Sequence, residues 1–296
     1  MPPNPQNNSS PASNAAVSDN TVIEFRAASY SVPNAENGLQ RTLLAPLDLS
    51  VHRGESLVLL GRSGSGKTTT LKLINRLLEP TGGEVLVEGK ATTAWDPIRL
   101  RRSIGYAIQE VGLFPHMTVE RNIGLMPRVE GWPAARIRER VRELLVLVGL
   151  QPDLAARFPR ELSGGERQRV GVARALALDP PILLMDEPFG ALDALTRAEV
   201  QREFAALEKR LKKTVVLVTH DLREALLLGT QIALLEAGRL HGLYTPGGFL
   251  QSTEPLAAAY VEAFHSGGEA SETGDAAPGA AGNVPNRMPT TEREAT

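Results

Sequence analysis

Short, wholly apolar runs alternate with amphipathic stretches through the middle of this chain. Leu57-Val58-Leu59-Leu60 is uninterrupted, the pattern of a strand buried on both faces. Residues 182–185 and 215–218 repeat it, and residues 22–25, 47–51 and 84–88 read as further strands. Residues 134–148 behave differently. They place Ile137, Val141, Leu144, Leu145 and Val148 on one helical face, and Gly149 supplies a stop. Residues 68–78 gather Leu71, Ile74, Leu77 and Leu78 in the same way. Strands alternating with helices predict an α/β core with a mostly parallel sheet. The stretch from about 110 to 175 reads as a separate helical insert.

The pattern fades at both ends. Residues 1–20 are rich in Pro, Asn and Ser with one charge, Asp19, and residues 266–296 contain no aromatic side chain. Neither stretch can bury enough apolar surface to offset its ordering entropy, so both read as disordered tails around a core of residues 21–265. There is no internal repeat and no sustained heptad. The 296 residues include no Cys, which excludes a disulfide scaffold, a thiolate metal site and thiol catalysis. A net charge of −2 argues against coating nucleic acid through bulk charge. No apolar run reaches the roughly 18–20 residues of a membrane span, and no signal peptide is recognisable at the start. These features describe a soluble, cytosolic globular protein.

Gly61-Arg-Ser63-Gly64-Ser65-Gly66-Lys67-Thr68 fits G-x-x-x-x-G-K-[ST], between an expected buried strand and an expected amphipathic helix. Gly61, Gly64 and Gly66 let successive amides turn toward phosphate oxygens, and the helix start adds its dipole. Lys67 is placed to reach the β- and γ-phosphates, Thr68 to ligate Mg²⁺, and Ser63, Ser65 and Thr69 to line the same loop. Asp186 and Glu187 end the apolar run at 182–185. Asp186 is the candidate to complete the metal shell, and Glu187 the candidate to polarise an attacking water. His220 follows the run at 215–218 and is a candidate γ-phosphate sensor. Gln109 is a candidate for Mg²⁺ or the lytic water.

Leu162-Ser163-Gly164-Gly165-Glu166 opens a helix running to about Leu178, a second helix N-terminus suited to phosphate. In order, the chain carries a P-loop, a Gln, this Leu-Ser-Gly-Gly, a strand-end Asp-Glu, Ala191-Leu192-Asp193 and a His. The series resembles the ATP-binding cassette family. That resemblance implies a P-loop cassette with a RecA-like parallel-sheet core, a small antiparallel β subdomain and an inserted helical subdomain. It further implies a head-to-tail homodimer or paired cassette. Each ATP would lie between the P-loop of one subunit and Ser163, Gly164 and Gly165 of the other, with Asp193 linking the two sites. Tyr30 matches the aromatic that stacks on adenine.

One cassette without a coiled-coil insertion or a fused membrane span points, within that family, to a separate transporter ATPase at the cytoplasmic face of the membrane. The segment Gly105-Tyr-Ala-Ile-Gln109 through Asn122 resembles the osmoprotectant (glycine betaine, choline, carnitine) importer ATPases. So do residues 74–81 and 96–102. On this resemblance Leu113, Phe114, Pro115 and Met117 form an apolar patch for an integral-membrane permease, with a solute-binding protein engaged indirectly and no nucleic acid. The alternatives are an amino-acid or other small-solute importer, and a non-transport ATPase. Well-known members of the group carry paired CBS domains after the cassette. Here a short region to about His265 and the tail follow instead.

Overall fold

The computed structural model describes residues 20–33, 39–109 and 112–272. In chain order the strands are β1 (Thr21–Pro33), β2 (Gln40–His52), β3 (Ser56–Leu60), β4 (Gly82–Val87), β5 (Lys90–Ala91), β6 (Ile104–Ala107), β7 (Ile182–Asp186), β8 (Thr214–Thr219), β9 (Gln231–Glu236) and β10 (Arg239–Tyr244). The α-helices are α1 (Lys67–Ile74), α2 (Pro97–Arg102), α3 (Val119–Ile123), α4 (Leu125–Val129), α5 (Ala134–Leu147), α6 (Gly164–Ala175), α7 (Ala194–Leu211), α8 (Leu222–Leu228), α9 (Pro246–Leu250) and α10 (Pro255–Glu272).

Two sheets result. One is antiparallel, ordered β2-β1-β4-β5, and the other is ordered β10-β9-β3-β8-β7-β6. In the second sheet β9, β3, β8, β7 and β6 run parallel, and β10 closes the edge antiparallel to β9. Every residue of β3, β7 and β8 is buried, because both faces of this sheet are covered. Alternate side chains serve two cores. Val58, Leu60, Leu183, Met185, Val215 and Leu217 point to the helical side. Leu57, Leu59, Ile182, Leu184, Val216 and Val218 point toward α1 and the antiparallel sheet. The helix expected at 134–148 forms with Ile137, Val141, Leu144 and Leu145 inward.

Three boundaries differ from the sequence reading. The first helix stops at Ile74 rather than near 78, because Arg76 adopts φ 53° and the Leu77 and Leu78 amides both return to the Lys72 carbonyl. The helix opened by Ser163 ends at Ala175 rather than near Leu178. Residues 266–272, assigned to a tail by composition, continue α10. The rest of the expected tails, residues 1–19 and 273–296, lie outside the described residues. Thr230 accepts the Ser56 amide at 2.9 Å and donates to the Ser56 carbonyl at 3.1 Å, pinning the start of β3.

Candidate nucleotide site

The order β3-β8-β7-β6 sets four carboxyl-terminal strand ends side by side, where open α/β sheets bind ligands. The loop 61–66 leaves β3, His220 follows β8, Asp186 ends β7, and Gln109 lies two residues beyond β6. All the strand-end candidates therefore meet at one edge.

Within the loop, Gly66 adopts φ 97°, a left-handed conformation that strains any residue with a Cβ. Its amide plane leads directly into α1. Lys67 is 4% exposed, and its ammonium donates to the Gly61 and Arg62 carbonyls at 2.7 and 2.9 Å, so it closes the loop on itself. Burial lowers the Lys67 pKa, opposed by the charges of Glu187 and Asp186. The Ser65 hydroxyl is buried and without a hydrogen-bond partner among the described residues. An orphaned donor in a loop of inward-facing amides fits a phosphate oxygen.

Thr68 donates its hydroxyl to Asp186 Oδ1 at 2.9 Å. Burial raises the Asp186 carboxyl above its ordinary value, while the Thr68 bond, Lys72 and Lys67 pull it back. Among the described residues no group of three or more His, Asp or Glu could hold a metal alone. One carboxylate and one hydroxyl suit Mg²⁺, which takes its remaining ligands from water and substrate phosphates. Tyr106, not singled out by its sequence, stands beside Asp186 on the neighbouring strand, and its phenol is pushed up first by burial and then by that carboxylate.

Glu187 sits at φ 45°, an uncommon conformation for a residue with a side chain. Its amide donates to the Val218 carbonyl at 3.0 Å, which docks it on the β8 end. Gln109 donates to Glu187 Oε2 at 3.2 Å, and His220 Nδ1 lies 3.6 Å from the same oxygen. These three residues, with Arg62 and Ser63, line a cavity of about 550 Å³. Its other wall is Ala259, Tyr260 and Ala263 of α10. Sequence reading missed that wall; its signal is the Leu256, Tyr260, Phe264 stripe, which packs on the core at helical spacing.

Ser163, Gly164, Gly165 and Asp193 do not line this cavity. Ser163 caps α6: its hydroxyl accepts the Glu166 amide at 3.2 Å, and Glu166 accepts the Ser163 amide at 2.7 Å. Those bonds hold the Glu166 carboxyl below its ordinary value. A Cβ on Gly165 would lie 2.8 Å from Thr196 Cγ2, so only glycine lets the start of α6 approach α7 this closely. Asp193 caps α7 by accepting the Thr196 amide at 3.1 Å, and its carboxyl is lowered by Thr196. Tyr30 pairs with Leu44 at the edge of β1, and the adjoining Leu43 carbonyl abuts Gly66. In the expected permease patch Leu113 packs on the core, whereas Phe114 and Pro115 are exposed. The buried Asn122 side chain binds the Phe114 amide and the Phe114, Met117 and Thr118 carbonyls, which shapes that loop.

A phosphate-cradling loop on β3, a hydroxyl–carboxylate pair at its mouth and a second capped helix start elsewhere define a P-loop nucleotide-binding cassette. The ABC transporter family model matches residues 44–190, and the chain belongs to this family. It is 50% identical over 206 residues to the glycine betaine/carnitine/choline transport ATP-binding protein OpuCA of Bacillus subtilis, covering 70% of this chain and 54% of that protein. It is 53% identical over 195 residues to the osmoprotectant import ATP-binding protein OsmV of Salmonella typhimurium, covering 66% of this chain and 51% of that protein. The chain thus spans about half the length of the curated relatives it matches. The dimeric post-hydrolysis structure of the cassette MJ0796 bound to ADP and Pi superposes with a TM-score of 0.68 at 33% identity, covering 76% of this chain and 98% of that one.

Proposed function

We propose that this chain is the ATP-hydrolysing subunit of an importer for quaternary-amine osmoprotectants such as glycine betaine. The observation that carries the ATPase reading is the meeting of Gln109, Glu187 and His220 around one carboxylate oxygen, beside the Thr68–Asp186 pair. Lys67 and the loop amides bind the β- and γ-phosphates. Thr68, Asp186 and Gln109 are the residues that would hold Mg²⁺, which when bound neutralises charge developing on the phosphates. Glu187 accepts a proton from the attacking water, Gln109 and His220 orient that carboxylate, and His220 senses the γ-phosphate.

Two copies pack head to tail, so that Ser163, Gly164 and Gly165 of one meet the nucleotide on the other. The absence of these residues from the chain's own cavity supports that reading. MJ0796, similar to this chain over nearly its whole length, forms a dimer. Tyr30 stacks on adenine and Asp193 links the two sites. No helix among the described residues is long and apolar enough to cross a membrane. By its likeness to importer ATP-binding proteins, the chain works at the cytoplasmic face of the membrane, with permease subunits seated on the exposed Phe114 and Pro115. The osmolyte assignment rests on the names of the relatives, because the solute is selected by other subunits. Steady-state ATPase assays of the parent and Lys67→Ala test the catalytic reading: turnover in the parent and none in the variant. Uptake of labelled glycine betaine, lost with the gene and not restored by Lys67→Ala, tests the solute.

A further inference from the structure

A buried polar cluster lies behind the cavity, built from residues that the nucleotide site does not use. Glu224 on α8 is 4% exposed, Gln201 on α7 is 8% and Thr219 at the end of β8 is 2%. Gln201 Nε2 donates to Glu224 Oε1 at 2.8 Å, and the Thr219 hydroxyl donates to Glu224 Oε2. The same Thr219 oxygen accepts the Asp221 amide at 3.0 Å. The Asp221 carboxylate in turn accepts the Arg223 amide at 2.7 Å and starts α8.

The backbone of His220 is thereby held on both sides. Its side chain is 61% exposed, so packing cannot aim it, and the aim comes from the backbone that carries it. On the other side of the cluster, Gln201 stands one turn after Arg197. The Arg197 guanidinium donates to the Phe189 and Leu192 carbonyls at 3.2 and 2.9 Å, which grips the loop between Glu187 and Asp193. Burial pushes the Glu224 carboxyl up, while Thr219 and Gln201 pull it back. An apolar side chain of this size would fill the space without that desolvation, so packing alone does not explain an acid here.

We propose that Glu224 is a positioning residue. Through Thr219 it fixes the backbone that aims His220 at Glu187, and through Gln201 it ties that histidine to the helix and loop carrying Asp193. The inference rests on the ATP hydrolysis proposed above. The consequence is that a displacement of the Asp193 loop reaches His220 through three buried side chains.

The full chain, labelled on histidine for NMR, tests this. His220→Ala identifies the His220 signal among the five histidines of the chain. Glu224→Ala is expected to move that signal, leave those of His52 and His241 in place, and lower kcat about tenfold or more with KM for ATP within about twofold. Glu224→Gln keeps an acceptor for Thr219 and lets the Gln201 amide turn over, so it is expected to recover kcat to within about threefold of the parent. If Glu224→Ala fails to fold, Gln201→Leu and Thr219→Val each remove one arm of the cluster and carry the same comparison. An unmoved His220 signal in a folded variant overturns the proposal. So does a general shift of all the histidine signals with loss of both kcat and KM, which marks a merely structural acid. A parent that does not hydrolyse ATP refutes the functional reading instead, and the NMR comparison still reports on the cluster.

Discussion

Gln109 and Glu187, 78 residues apart in sequence, meet as an amide donating to a carboxylate at 3.2 Å. The oxygen so engaged is the one that His220 Nδ1 faces at 3.6 Å. Glu187 is thus held from two neighbouring strand ends by one of its oxygens, and its second oxygen carries neither contact. That asymmetry suits the role proposed for it, in which it receives a proton from water while staying fixed in place.

Replacing that carboxylate by an amide separates binding from turnover. Glu187→Gln is expected to bind ATP, to lower hydrolysis by about 10²–10⁴-fold, and to accumulate as a dimer in ATP. Turnover assays and size-exclusion chromatography with and without ATP read the two effects. Parent-like hydrolysis would remove Glu187 from the base role.

Adenine stacking on Tyr30 is tested by affinity. Tyr30→Ala should weaken ATP binding about 5- to 150-fold if stacking supplies about 1–3 kcal/mol, while Tyr30→Trp keeps the ring and the affinity. Calorimetric titration of both variants decides it. Equal affinities for parent and Ala variant would reassign Tyr30 to packing at the edge of β1.

The approach of α6 to α7 can be probed by adding one methyl. Gly165→Ala places a Cβ 2.8 Å from Thr196 Cγ2. Overpacking costs about 1–3 kcal/mol, and alanine recovers up to about 1 kcal/mol of helix propensity. A net loss of about 1–2 kcal/mol in urea unfolding is expected. In a Thr196→Ser background, which lacks the opposing methyl, the same substitution should be neutral or stabilising.

Glu208, remote from the nucleotide, sets a pH dependence of stability. Burial pushes its carboxyl from 4.5 up to about 7, slightly opposed by Lys209, and the Ser56 hydroxyl donates to it. Between those values the folded chain holds a proton that the unfolded chain has released. This group's contribution therefore makes stability fall as pH rises through that window, by up to about 3 kcal/mol, and then level off. Glu208→Gln should resemble the parent near pH 5, exceed it near pH 8, and show a flatter curve in urea melts across that range.

How much of this was legible in the sequence depends on where each residue's surroundings come from. β3, β7 and β8 announce themselves because a strand covered on both faces must be apolar throughout. The P-loop does so because glycine spacing, a lysine and a hydroxyl fall between a strand and a helix. β10 escaped notice because it lies at a sheet edge with half its residues exposed. The end of α8 and most of β9 run together in sequence as one uncharged apolar stretch, 225–235, which Gly229 and Thr230 divide in the structure. The left-handed backbone of Glu187 has no sequence signature, since it is imposed by docking on Val218. Glu224 is invisible for the same reason: it acquires its role from the elements packed against it.

The wall formed by Ala259, Tyr260 and Ala263 bears on where this molecule can be divided. The stretch by which the family is recognised closes at residue 190, before the histidine and before the helix that encloses Glu187 from the far side. A fragment cut there would lose β8 and β9, the two neighbours of the strand that carries the phosphate loop, along with two sides of the cavity. The stretch that identifies the family is shorter than the stretch that lines the cavity.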